Sequence, residues 1–384
     1  MIKERIHTIK PEIMEIFEHL HQHPEVSWKE FQTSDYLTQF LQKNGGRVRT
    51  LNHTGIVAEM GEGSPVVAVR ADMDALWQEV NGQFQANHSC GHDAHMAMVC
   101  GVLLILQKFS SLPPGTVRFL FQPAEEKGTG ALKMVEDGVV DDVDYLYGVH
   151  LRPELELGDG FAAPAILHGA ACFVKGRIRS DDAHGARPHL GANAIEVGAT
   201  FVSLLNNIHL NPMLPYSVKM TSFHAGGESA NIIPGSATFS IDMRSQSNEG
   251  MEKLVSKVFE IASSLEKLFG VDIEMETGAN VAAAEVHPEA QAFMEKGILN
   301  VLGIDALQPP LVSTGGDDFH FYTIKRPHLK ATMLGLGCGL APGLHHPNMT
   351  FNKDALLNGV HILSETVLET LKEGKGKRGR QHVD

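Results

Sequence analysis

"PVVAVRADMDAL", residues 65–76, decides how this chain is built. Val66, Val67, Ala68 and Val69 form a short apolar run rich in β-branched residues, and Asp72 and Asp74 follow almost at once. A strand that is apolar on successive residues is buried on both faces, as in a parallel sheet covered by helices. The two acids then stand at its carboxyl end, the edge where open α/β sheets carry their sites.

Three further runs repeat the arrangement. "TVRFLF" (116–121) leads into "QPAEEKGTG", placing Glu125 and Glu126 just past Pro123. "YLYGVH" (145–150) ends in His150, and "ATMLGLG" (331–337) precedes "CGLAPGLHHPN" with His345 and His346. Helical patterns alternate with these strands after Asp93, over 130–136, over 288–301 and over 353–371. Ile6, Ile9, Ile13, Ile16 and Phe17 mark one more amphipathic helix. The reading is an α/β fold with a mixed, mostly parallel sheet flanked by helices.

The middle of the chain differs. Between about 167 and 278 it reads strand, helix, two strands, helix, strand, which is a smaller α+β insertion. The expected domains are 1–166, an insertion over 167–278, and a return to the first domain over 279–384. A length of 384 residues with 43% hydrophobic content is enough for two cores.

Thirty-two basic against forty-six acidic residues give a formal charge of −14, which argues against nucleic acid or an anionic membrane as partner. The basic run "KGKRGR" (375–380) reads as a solvated terminus. Cys90, Cys100, Cys172 and Cys338 form no C-x-x-C pair and no disulfide framework, which favours a reducing compartment. Charges recur through the first 25 residues, so neither a signal peptide nor a membrane span is expected there. A cytoplasmic protein is the expectation.

"HSCGHDAH" (88–95) adds Cys90 and His92 around Gly91. Each polar residue has an ordinary explanation alone: a surface histidine, acids at a helix start, aspartates capping a turn. Their convergence on one sheet edge points instead to a site. Thiolate, imidazole and carboxylate together suit zinc or manganese, whereas magnesium and calcium prefer oxygen alone. Two such ions would sit ~3.5–4 Å apart and share a water. Glu125 and Glu126, if extended, point opposite ways, so one would ligate while the other serves as general base. A reactive thiol at Cys90 with His92 as its base is the rival reading, but it leaves the other carboxylates unexplained.

Together "ADMDAL", "CGHDAH", "QPAEE", "GVHL", "HGARPHLG", "ANIIPG" and "LHHPNM" resemble, in order, the signature blocks of the co-catalytic metallopeptidase family of aminoacylases and glutamate carboxypeptidases. The likeness is to its amidohydrolase branch of indole-acetyl-amino-acid hydrolases, hippurate hydrolases and N-acetyldiaminopimelate deacetylases. It implies a catalytic α/β domain interrupted by a lid that mediates homodimer formation. It further implies that Cys90, His92, Glu126, His150 and His345 bind two divalent ions, manganese favoured over zinc. Glu125 would be the general base and Asp74 would orient a neighbouring ligand. His345 is preferred to His346 because the family motif ligates through its first position.

In the lid, His184 resembles a histidine that reaches the partner subunit's site and stabilises the oxyanion. Asn231 and Arg244 match residues that hold the substrate carboxylate. A salt bridge on the strand surface remains the other reading for Arg244, and a turn residue that for Asn231. The implied activity is hydrolysis of an N-acyl amino acid. The alternatives are a dipeptidase or carboxypeptidase of the same family, and an inactive binding homologue.

His95 is expected to support the site rather than bind metal, Asp93 to start the following helix, and His88 has no assigned task. Two departures bear on the pocket. Trp77 stands where the branch usually has proline, and the connector from Leu76 to Cys90 is short. "GGDDFHFY" (315–322) carries Asp317 where the family usually has glutamate.

Overall fold

The computed structural model describes residues 2–378, so the end of the basic run Lys375–Arg380 lies outside the described residues. The chain divides into two compact units. The first gathers the residues up to Leu167, Glu285–Val312 and those from Asp318 onward; the second gathers His168–Ala284 and Ser313–Asp317.

In the first unit the strand Val66–Asp72 is buried at every residue. It lies between Gly115–Gln122 and Tyr145–Pro153 and runs parallel to both. Lys330–Leu340 adds in parallel beside Tyr145–Pro153. The four apolar runs are therefore adjacent parallel strands, and their carboxyl ends open on one edge. Antiparallel strands complete the seven-stranded sheet: Ile56–Glu62 and Arg47–Thr50 at one side, Ala162–Ala163 at the other.

The helix His92–Leu106 is buried at every position. It packs against the Val66–Asp72 strand and against the helices Ile2–Gln22 and Ala355–Arg378. Covered on all sides, it needs no polar face, which is why "MAMVCGVLLIL" lacks one. The helix Ile2–Gln22 buries Ile6, Ile9, Ile13, Ile16 and Phe17, the stripe expected of it.

Several elements went unread in the sequence, among them the antiparallel strands Arg47–Thr50 and Ile56–Glu62 and two others. One is the helix Phe31–Lys43. The other is a hairpin inside the short connector, Leu76–Val80 paired with Gln83–Asn87. Asn81 and Gly82 turn it with φ of 53° and 83°, and Asn-Gly with two positive φ angles is the favoured two-residue hairpin loop. Trp77 stands 63% exposed on this hairpin.

The second unit is a four-stranded antiparallel sheet ordered Tyr216–Ala225, Ser236–Ser245, Ala170–Arg179, Asp272–Val281. Burial alternates along Ser236–Ser245, and its inward residues meet the helices Ala194–Asn206 and Asn248–Phe269. Phe201, Ile241, Leu254 and Val258 belong to this separate core. The unit continues past residue 278 because its last strand does, and because the Asn248 carboxamide brackets the backbone of Ala283. No helix among the described residues is long and apolar enough to cross a membrane.

Candidate metal centre

Gly91, at φ 85°, lets the chain reverse between Cys90 and the helix that starts at His92. A side chain other than glycine would be strained there. His92 Nδ1–H donates to the Asp74 carbonyl at 2.8 Å, which turns the Nε2 lone pair inward. His150, near the end of its strand, follows the same pattern: Nδ1–H donates to the Leu151 carbonyl at 2.7 Å. Its Nε2 lies 3.6 Å from Cys90 Sγ. Both imidazoles thus have their tautomer set by a backbone carbonyl and present Nε2 to the same space.

Glu125 and Glu126 do not lie on an extended segment as the sequence reading assumed. They open a 3-10 turn, Glu125–Lys127, after a left-handed Ala124 at φ 53°. Their backbone N–H groups donate to Asp74 Oδ1 and Oδ2 at 3.0 and 3.1 Å, and Ser27 Oγ donates to Oδ2 at 2.6 Å. The next helix begins hard against this turn: a Cβ on Gly130 would lie 1.6 Å from the Pro123 carbonyl oxygen. Successive side chains of a 3-10 helix diverge by about 120°, and although one oxygen of each glutamate lies within 4.8 Å of the other and of His92, their other contacts differ. Glu125 Oε2 lies 3.9 Å from His92 Nε2, whereas Glu126 Oε1 lies 3.3 Å from His345 Nε2.

His345 also has a left-handed backbone, φ 63°. Its N–H donates to the Ser89 carbonyl at 2.7 Å, and its own carbonyl accepts from Gln78 Nε2 at 3.2 Å. Asn87 Nδ2 donates to the Pro347 carbonyl at 3.0 Å. The hairpin in the connector therefore holds the His345 loop. His346 is occupied differently, its Nδ1 accepting from the Asn348 N–H.

The donor atoms of Cys90, His92 and His150 lie within 4.8 Å of one another, and so do those of Cys90, Glu126 and His345. Cys90 belongs to both groups. His92 Nε2 and Glu126 Oε1 are buried without a hydrogen bond, although Glu126 Oε1 is in ion-pair range of His345. Burial, and then Glu126 beside it, push the Cys90 thiol well above its usual range. The Glu126 carboxylate beside it raises His345. A buried thiol, two carboxylates and imidazoles with Nε2 turned inward converge here, and divalent cations fit that donor set.

A second layer supports this cradle. His95 Nδ1 donates to Asp72 Oδ1 at 2.7 Å and its Nε2 accepts from the Leu151 N–H at 3.0 Å, so both ring nitrogens are used and His95 is not a ligand. Burial alone would raise Asp72, but His92, Arg70 and His95 outweigh it and hold the carboxyl well below the usual range. Arg70 is wholly buried and pairs with Asp72 and Asp318. Gln122 and the Ala131 N–H also donate to Asp318. Arg70→Met should leave two buried carboxylates without their cation and destabilise the protein by about 3–5 kcal/mol. The shift of the denaturant midpoint measures this, and an unchanged midpoint contradicts it.

Asp93 accepts from the Ala94 N–H at 2.8 Å and pairs with His21 Nδ1 at 2.6 Å. His88 is buried and neither ring nitrogen has a hydrogen bond; burial pushes it down to about 4. The sequence reading gave no role to Arg70, Ser27 or Gln78. Arg70 carried a signal, as a charge inside an apolar strand requires a buried partner.

The remaining candidates lie in the second unit. His184 and Asn231 are neighbours there: His184 pairs with Ile232, and the Gly185 N–H donates to the Asn231 carbonyl at 2.8 Å. Arg244 is not with them. It sits at the far end of Ser236–Ser245, whose near end follows Pro234. Its Nε and Nη2 donate to Asp242 at 2.8 and 3.2 Å, and its guanidinium lies 5.1 Å from the Phe173 ring centroid.

The family model for Peptidase family M20/M25/M40 matches residues 68–369. The N-acetyl-L-cysteine deacetylase of Bacillus subtilis is 28% identical over 384 residues, covering 96% of this chain and 91% of that protein. The IAA-amino acid hydrolase ILR1-like 6 of Arabidopsis thaliana is 32% identical over 367 residues, covering 89% and 76%. Among solved structures, the Bacillus subtilis YXEP protein, a dinuclear metal binding peptidase from the M20 family, superposes with a TM-score of 0.81 at 25% identity, covering 96% of this chain and 99% of that one.

Proposed function

The chain belongs to peptidase family M20/M25/M40, and from that premise we propose that it hydrolyses the amide bond of N-acyl amino acids, with Glu125 as general base. The observation that carries the reading is the division of two adjacent glutamates. Glu126 turns to His345 in one donor group, Glu125 turns to His92 beside the other, and Cys90 is common to both groups.

Cys90, His92, Glu126, His150 and His345 would hold two divalent ions. Bound there, the ions supply Lewis acidity toward the scissile carbonyl and lower the pKa of the attacking water. Glu125 takes a proton from that water at Oε2, the oxygen directed to His92, while the Asp318 N–H, 3.4 Å away, orients Oε1. The same carboxyl then delivers the proton to the leaving nitrogen. Asp74 keeps the base in place by accepting both glutamate N–H groups.

His184 is proposed to stabilise the oxyanion in the partner subunit of a homodimer formed through the inserted unit. Asn231 and Arg244 are proposed to hold the substrate carboxylate. Asp242 occupies the Nε and Nη2 edge of Arg244, which leaves Nη1 for that carboxylate. Manganese is proposed ahead of zinc on the resemblance, and the Cys90 thiolate is the feature that speaks for zinc. A cytoplasmic setting accords with four unpaired, buried cysteines.

The test is turnover of N-acetyl, N-benzoyl and indole-acetyl amino acids beside free dipeptides. Higher kcat/KM on the N-acyl amino acids is expected. Faster dipeptide cleavage would assign the chain to the dipeptidases, and no turnover of either would leave a binding homologue.

A further inference from the structure

Trp28 and Ala124 both carry a left-handed φ, 66° and 53°, without being glycine. They are 96 residues apart in sequence (124 − 28), yet both backbone N–H groups donate to the same atom, Oε1 of Glu30, each at 3.0 Å. Oε2 of that carboxylate accepts from Thr54 Oγ1 at 2.6 Å. Glu30 is wholly buried. It precedes the helix Phe31–Lys43, yet its side chain makes no capping bond to that helix. A carboxylate taken out of water requires strong hydrogen bonds, and two of its three donors here are backbone groups in a conformation that side chains resist.

Ala124 directly precedes Glu125. If it relaxes to the right-handed or extended region, the peptide plane between them rotates, and the N–H groups of Glu125 and Glu126 leave Asp74. The segment around Glu30 braces the turn at two more points: Ser27 Oγ on Asp74, and Trp28 Nε1 on Thr129 Oγ1 at 3.2 Å. We propose that Glu30 is a positioning residue that fixes the left-handed turn at Ala124 and thereby places the carboxylates of Glu125 and Glu126. The inference rests on the roles proposed above for those two glutamates.

Two near-isosteric variants separate this clamp from a general structural role. Glu30→Gln removes the charge but keeps an oxygen for both N–H groups, while its nitrogen can donate to the Thr54 hydroxyl. Glu30→Asp keeps the charge but withdraws the carboxylate by about 1.5 Å, one C–C bond. The probe is Zn2+ titrated into the chelator-treated full chain, with kcat and KM on an N-acyl amino acid measured in parallel. Glu30→Asp is expected to bind the weaker Zn2+ about 10-fold less tightly and to lose about 10- to 100-fold in kcat, with KM within about threefold. Glu30→Gln is expected to stay within about threefold of wild type in all three.

Ala124→Gly placed in the Glu30→Asp protein should recover most of the Zn2+ affinity, because glycine adopts this φ without strain. Wild-type Zn2+ affinity in Glu30→Asp, equal impairment of Glu30→Gln, or no recovery with glycine overturns the clamp. If Glu30→Asp does not fold, Glu30→Gln decides alone: wild-type affinity supports the clamp and weakened affinity overturns it. Zn2+ binding is read without substrate, so a failure of the proposed N-acyl amino acid activity leaves this result standing.

Discussion

Glu125→Gln is expected to keep both ions and to lose hydrolysis by about 10³-fold or more, the upper part of the range for a positioned general base. The substitution is isosteric. Its amide oxygen can still accept from the Asp318 N–H, and the backbone bond to Asp74 does not involve the side chain. Fold and ion content should therefore be unchanged, while an amide cannot take the proton from water. The loss should fall on kcat, with KM nearly constant, because the group acts on the reacting water rather than on substrate affinity. Turnover within about tenfold of wild type would remove Glu125 from the mechanism.

Cys90→Ser should lower ion content below two per chain and reduce hydrolysis by at least about 10²-fold, more than is typical for a residue that only supports a ligand. Cys90 is the single residue common to the two donor groups proposed to hold the ions, so its loss would touch both. Serine has nearly the same size, but its hydroxyl does not ionise near neutral pH, so an anionic donor is replaced by a neutral one. Elemental analysis checks the first part and initial rates the second. Full occupancy in this variant would show that Cys90 is not needed to hold either ion.

The sheet and the cradle were legible to different depths. Four strand ends carrying Asp74, Glu125, Glu126, His150 and His345 could be read because each signal is local: an apolar run followed by acids or imidazoles. That the strands are parallel could be expected from their burial on both faces, whereas their adjacency is set by the fold. The antiparallel flank from Arg47 to Glu62 left no such mark, since strand pairing at an edge depends on partners distant in sequence. The hairpin that holds the His345 loop was missed although Asn81-Gly82 announces it.

The support network was harder still. Asp72 and Asp74 are equivalent in "ADMDAL", yet one binds His95 and Arg70 while the other receives Ser27, Glu125 and Glu126. The strand ends at Asp72, so Asp74 lies beyond it and reaches different neighbours, and only the fold says which. Nothing in the sequence singles out Glu30. Its two left-handed donors appear only once residues 28 and 124 are brought together.

The number of divalent ions bound per chain in active protein tests the central claim most directly. Elemental mass spectrometry should find two, both removed by a chelator together with hydrolysis of N-acyl amino acids, and hydrolysis should return on adding Mn2+ or Zn2+. Hydrolysis at the untreated rate with no ion bound would contradict the account.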